Sequence, residues 1–291
     1  YMTDQRYSTG YQRLDEALGG GLIPGTLTLM LGASGIGKTH LGVSFAAAGL
    51  ERERSRGVIL DLTARGDGQD HAEYAARMHG WIMKKGKVDE ALLEPWMDGD
   101  GTDLTSIFET ERRRVIQGQV SDDQWRDWNA FIQRKIQAAA MFLYSAFVAG
   151  RRRVVVDGIE PFDLSGHSAQ GEFFEHCVER VIKKDATALA MDAFRERFHQ
   201  NRKMIAENSY DHRQVASMAL VTTRSNMLEE LIKAPLAQGD YYAVANTVIL
   251  AGRVGAGGDY RRALFVAKHR GSACSDSIIP YSIGPKGLLF T

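Results

Sequence analysis

Eight consecutive residues, Gly32-Ala33-Ser34-Gly35-Ile36-Gly37-Lys38-Thr39, have the spacing G-x-x-x-x-G-K-[S/T]. The chemistry of that spacing is phosphate binding. Its glycines let the backbone curl until successive N–H groups point inward at phosphate oxygens. A helix beginning at the end of the loop adds the positive end of its dipole. The Lys38 ammonium is expected to reach the terminal phosphates, and the Thr39 hydroxyl to hold Mg²⁺. Together with His40, which begins the helical pattern, these residues are the expected contacts to a nucleoside triphosphate.

Such a loop works only between a strand and a helix, and both are legible. Thr26-Leu27-Thr28-Leu29-Met30-Leu31 is a strand-like apolar run, and Leu41 to Ala48 continues a helix to about Leu50. The charged Glu51-Arg52-Glu53-Arg54-Ser55-Arg56 is expected to be a solvated helix end with internal pairing. A second strand is expected at Gly57–Leu62. Residues 68–96 look helical with a break at Gly86, and a polar loop follows at Asp98–Asp103. A long helix is expected from about Ser121 to Ala149, with Ile132, Ile136, Ala139, Ala140, Phe142, Leu143 and Phe147 at helical spacing.

Val154-Val155-Val156 then reads as a strand buried on both faces of a parallel sheet. It ends in Asp157, where a carboxylate would complete the Mg²⁺ shell, directly or through water. A helical region is expected at about 168–206. The strand Val215–Thr223 should bring its tip beside the phosphates, with Thr222 and Thr223 as candidate polar sensors. Asn246–Val254 and Arg262–Lys268 flank Gly255-Ala256-Gly257-Gly258 and predict an antiparallel hairpin at one end of the sheet. Strands alternating with helices give an α/β class, a mostly parallel twisted sheet with helices on both faces. No repeat, low-complexity tract or interdomain linker interrupts the chain.

Composition narrows the function classes. The 291 residues suffice for one large α/β unit, and 44% apolar with 25% charged residues is ordinary for a soluble globular protein. Lys+Arg 36 balances Asp+Glu 36, so any nucleic-acid surface must be local. Cys177 and Cys274 are the only cysteines; they imply no disulfide framework and suit a reducing cytosol. No run approaches membrane-span length, and no signal-peptide pattern precedes the expected native start at Met2. The expected location is cytoplasmic.

Several segments together resemble the KaiC-like branch of the RecA superfamily of P-loop ATPases. They are Ser8-Thr9-Gly10 through the Leu18-Gly19-Gly20-Gly21 turn, Pro24-Gly25, the Gly32–Thr39 loop, the Val-Val-Val-Asp157 strand and Lys268-His269-Arg270-Gly271-Ser272. The resemblance covers roughly residues 7–63, 150–162 and 215–290. It implies a RecA-like core over residues 1–291, with helical insertions at about 64–149 and 163–214. It also implies a homo-oligomer, usually a hexameric ring, with ATP between neighbouring subunits. Lys268 and Arg270 would then be fingers reaching the neighbour's phosphates, where a guanidinium neutralises charge developing on the transferred phosphoryl group.

One position departs from the family. The glutamate that activates water at the end of the second strand falls on Thr63 or Ala64. Asp61 or Glu160 could substitute; a threonine hydroxyl is far too weak an acid to serve as a base. Weak ATPase activity is therefore expected, with the nucleotide state controlling ring assembly and a protein partner. The alternatives are a recombinase-type ATPase on single-stranded DNA, disfavoured by the few cations after the Asp157 and Thr223 strands, and a non-hydrolysing nucleotide-binding scaffold. Two smaller signals are weaker still. Asp98–Asp103 has Asp103 where a calcium loop needs glycine. Arg112-Arg113-Arg114 and Arg151-Arg152-Arg153 could form a phosphate-backbone groove, but nearby Glu109, Glu111, Asp122 and Asp123 favour a balanced solvated surface.

Overall fold

In the computed structural model, residues 6–63, 70–86, 101–108, 118–159, 173, 185–233, 240–255 and 258–291 are described. The strands are β1 Leu27–Gly32, β2 Val58–Asp61, β3 Leu104–Ser106, β4 Arg153–Ile159, β5 Ala216–Thr222, β6 Thr247–Val254, β7 Arg261–His269, β8 Ile279–Gly284 and β9 Gly287–Phe290. They form one sheet in the order β3-β2-β4-β5-β1-β6-β7-β8-β9. Pairing is parallel from β3 through β6 and antiparallel from β6 to β9. The fold is thus the α/β, mostly parallel arrangement that the sequence predicts.

Strand periodicity divides the core in two. Leu29, Leu31, Leu60, Val154, Val156 and Leu250 face one layer, with Ile136, Ala139, Leu143 and Phe147 of the long helix Asp122–Val148. Met30, Ile59, Val155, Met218 and Ile249 face the other. That second layer is covered by α1 (Gln12–Ala17), α2 (Lys38–Ala47) and α4 (His71–His79), with the short α3 (Gly49–Arg52) after α2. The long helix is α5; Ser121 caps it in a reciprocal box with Gln124. The segment at about 64–149 thus carries α5, which packs into the core layer on one face of the sheet, and β3, which extends the sheet. Among the described residues no helix is long and apolar enough to cross a membrane.

Three local expectations need correction. Among the described residues, the helical reading of 68–96 holds only for α4: Gly80 ends it at φ 57°, and the chain then runs extended beside β3, with Asp103 N–H donating to Lys84 O (2.8 Å) and Gly86 N–H to Leu104 O (3.0 Å). Residues 87–100 lie outside the described set. The 168–206 region contains a helix at Ala186–Phe194 and another at Arg202–Glu207, joined through a 3-10 turn at Arg195–Arg197; residues 160–184, apart from Phe173, are not described. Beyond the predicted hairpin, β8 and β9 add a second antiparallel pair.

The third correction concerns charge. Arg151-Arg152-Arg153 is neither a groove nor a solvated surface. Arg153 is fully buried; its guanidinium makes two bonds to Glu53 (2.6 and 3.0 Å) and donates to the carbonyls of Ser8 (2.6 Å) and Phe45 (2.8 Å). Arg151 pairs with the buried Asp103 at 2.6 Å, and Arg152 donates to Phe147 O at 2.7 Å. Glu53 therefore does not belong to a solvated helix end, because it reaches back to compensate Arg153. Arg112-Arg113-Arg114 lies outside the described residues. Removing one partner of a buried pair leaves the other desolvated, so Arg153→Ala is expected to lower the unfolding free energy by about 3–5 kcal/mol in denaturant titration. A loss below about 1 kcal/mol would match a solvated pair and contradict this reading.

Candidate functional site

The glycine loop leaves the buried β1 and turns into α2. Gly35 and Gly37 take φ 74° and 101°, and a side chain at 37 would meet Leu288 at 2.8 Å. The apex at Ser34 and Gly35 is exposed, while Ile36, Gly37, Lys38 and Thr39 are buried. Lys38 folds over its own loop, its ammonium donating to Gly32 O and Ala33 O, both at 2.9 Å. Burial lowers its pKa, and the charge of Asp157 offsets that only in part. The β8–β9 pair supports the loop from behind. The Tyr281 hydroxyl donates to Ile36 O at 2.5 Å, and burial raises its pKa.

Strand order brings the remaining candidates to the same edge. Thr222 lies opposite Gly32 across β5 and β1, and Asp61 lies opposite Asp157 across β2 and β4. Asp157 occupies a bulge in β4, where the register with β5 shifts between Val156 and Ile159. Gly158 makes the bulge possible: its φ is 89°, and a Cβ there would meet Thr63 N at 2.6 Å. The bulge aims the Asp157 carboxylate at the loop. One oxygen accepts Gly158 N–H at 2.7 Å; the other accepts the Thr39 hydroxyl at 2.6 Å. Two residues 118 positions apart thus meet in a buried contact beside Lys38.

A chain with this sheet, loop and distant aspartate invites comparison, and the family model described as "ATPase: KaiC" matches residues 7–211. The chain belongs to the KaiC ATPase family. Its fold is similar to that of a KaiC-like protein from the hyperthermophilic archaeon Pyrococcus horikoshii OT3, at 17% identity and a TM-score of 0.51, covering 99% of each chain. No curated protein matches it in sequence. As a KaiC-family, RecA-like ATPase it binds ATP.

The other predicted residues are placed differently from one another. Asp61 is buried; one oxygen accepts both the N–H (2.9 Å) and the hydroxyl (2.7 Å) of Thr63, and the other lies 3.4 Å from the Ser106 hydroxyl. Thr63, one of the two positions at the end of the second strand, is therefore tied to Asp61. His40 does not turn toward the loop. Its ring stacks on Tyr74 at 4.5 Å, and burial followed by the charge of Arg77 lowers its pKa. The Thr223 hydroxyl donates to Ser225 O at 2.8 Å, leaving half-buried Thr222 as the residue next to Gly32. Glu160 lies outside the described residues.

Lys268 and Arg270 are elsewhere. His269 pairs with Thr247, and Thr247 pairs with Thr28 at the start of β1, whereas the loop leaves from its end at Gly32. Those four residues of strand separate the two ends by about 13 Å. Lys268 donates to the carbonyls of Tyr242 and Ala243 and stands 4.7 Å over the Tyr242 ring. Burial, then the charge of Arg270, lowers its pKa. Arg270 is exposed.

His71 has no counterpart in the sequence reading. It is the first residue of α4, capped by Asp70, and its Nε2 lies 3.0 Å from the Asp157 oxygen that also accepts Thr39. Its Nδ1 lies 4.0 Å from Asp61. Burial alone would lower the His71 pKa, but the bond to Asp157 and the charges of Asp157 and Asp61 leave it raised. Burial would likewise raise Asp157, and His71, Thr39 and Gly158 N–H leave it lowered.

The raised histidine stabilises the fold fully below its ordinary value of 6.5, and that contribution is lost as pH rises through its folded value. The lowered aspartate contributes above 3.8, and its share is lost as pH falls through its own folded value. In metal-free protein the melting-temperature difference between wild type and His71→Gln is therefore expected to be largest between these two values and to shrink in alkali. A difference independent of pH would contradict the charged pair.

Proposed function

We propose that residues 1–291 form one Mg²⁺-dependent KaiC-like ATPase unit of low turnover, whose nucleotide state controls ring assembly and a protein partner. The contact between Thr39 and Asp157 carries this reading. A hydroxyl and a carboxylate buried side by side at the end of a phosphate loop fit a cation that binds through one or two protein oxygens, water and phosphate. Thr39 and Asp157 would hold Mg²⁺, whose positive charge would offset the negative charge that develops on the phosphates. The loop N–H groups and the dipole of α2 would hold the phosphates, Lys38 would exchange its two carbonyl partners for phosphate oxygens, and Thr222 would face them from β5.

Low turnover follows from the second-strand tip. The family's glutamate position falls on Thr63 or Ala64, and the hydroxyl and N–H of Thr63 are both directed to Asp61, itself held by Ser106. Positioning and cationic groups carry most of phosphoryl transfer, so the reaction would be slowed rather than abolished.

Placement at the opposite end of the sheet supports a trans role for Lys268 and Arg270, since neither is near its own loop. The segment after β5 argues against a DNA loop. Its helix Leu228–Lys233 is anchored by buried Leu228 and Leu231, and Gly252 of β6 lies against Leu228.

Lys38→Ala is expected to abolish ATP binding. Arg270→Ala is expected to bind ATP normally and lose about 10³-fold or more in turnover. Mixing the two inactive variants should recover turnover, because one supplies an intact loop and the other an intact finger. No recovery from co-assembled variants would contradict fingers in trans. Stimulation of the wild type by single-stranded DNA would favour the recombinase class, and no turnover at all the scaffold.

A further inference from the structure

The activity proposed above leaves His71 without a role, although it is one of the most constrained side chains at the site. Its residue is 2% exposed. Helix α4 holds the backbone in place: Ala75 is buried in the layer beneath the sheet, and Tyr74 stacks on His40 of α2. On the far side of the ring stands Asp61, fixed through Thr63 and Ser106. The ring can neither swing out nor retreat, and its Nε2 meets Asp157 Oδ2 at 3.0 Å.

Asp157 is thus gripped from three directions. Gly158 N–H holds one oxygen, and Thr39 and His71 converge on the other. A carboxylate at a strand tip would otherwise rotate about its own side-chain torsions, and groups bonded behind a metal ligand fix its orientation and basicity. We propose that His71, backed by Asp61, is a positioning residue that orients the Asp157 carboxylate for the divalent cation. The inference rests on the reading of Thr39 and Asp157 as the cation site. It assigns to α4 a task that in this chain links β2, β4 and the loop through one imidazole.

The test is the Mg²⁺ dependence of binding of a fluorescent ATP analogue to the full chain, with a parallel titration in EDTA. His71→Ala is expected to raise the Mg²⁺ concentration for half-maximal binding by about 10–100-fold. Affinity in EDTA should stay at the wild-type value. His71→Gln, whose amide N–H can reach the same oxygen, should remain within about threefold of wild type, while the shorter His71→Asn should behave like alanine. Wild-type Mg²⁺ dependence in both His71→Ala and His71→Asn would overturn the proposal, as would a glutamine variant as impaired as asparagine. If alanine does not fold, the glutamine and asparagine pair decides alone. Loss of the underlying cation site would look different: binding of the analogue by wild type would then be indifferent to Mg²⁺.

Discussion

A carboxylate buried at the tip of a strand is costly unless its charge is met, and Asp157 is the constraint to which the rest of the site answers. Its compensation comes from three separate parts of the chain: the hydroxyl that opens α2, the imidazole that opens α4 and the N–H of the next residue in its own bulge. Neither Thr39 nor His71 could meet it without the order β2-β4-β5-β1, which brings the ends of parallel strands to one edge. The bulge at Gly158 turns the carboxylate out of the strand and toward the loop. Sheet topology thus sets the place, and a local backbone irregularity sets the aim.

The same sheet gives the molecule two chemically distinct ends. At one end the tips of β1, β2, β4 and β5 surround the phosphate loop. At the other, β7 ends with Lys268 and His269 beside the start of β6, and Arg270 follows directly. The parallel run makes this separation unavoidable, because an antiparallel return strand must end where its parallel neighbour begins. Under the proposed function, that separation is what makes a second subunit necessary. Arg153 serves the first end indirectly. Buried between β4 and α2, it binds carbonyls of Ser8 and Phe45 and the carboxylate of Glu53, and so fixes the layer from which α2 presents Lys38 and Thr39.

What could be read from the sequence was what depends on short spacing. The loop declares itself within eight residues, the triple valine announces a doubly covered strand, and α5 shows its helical period over many turns. That the tip of the strand ending at Thr222 lies beside the loop followed from the general rule for open α/β sheets, though its register with Gly32 did not. The unread parts depend on contacts between distant residues. His71 is 86 positions from Asp157, and an aspartate capping an amphipathic helix gives no sign of that partner. β3 is three residues long, too short for alternation to register. Arg153 looked solvated because its neighbours in sequence are charged, yet its true neighbour is Glu53, 100 positions earlier. The support that Tyr281 gives to Ile36 spans nearly the whole chain.

The most direct measurement is a crystal structure with Mg²⁺ and a non-hydrolysable ATP analogue. The expected result is a terminal phosphate over the loop N–H groups, Lys38 drawn from the carbonyls of Gly32 and Ala33 onto phosphate oxygens, and the cation beside Thr39 and Asp157. An analogue bound elsewhere, or a cation held away from that hydroxyl and carboxylate, would contradict the central claim.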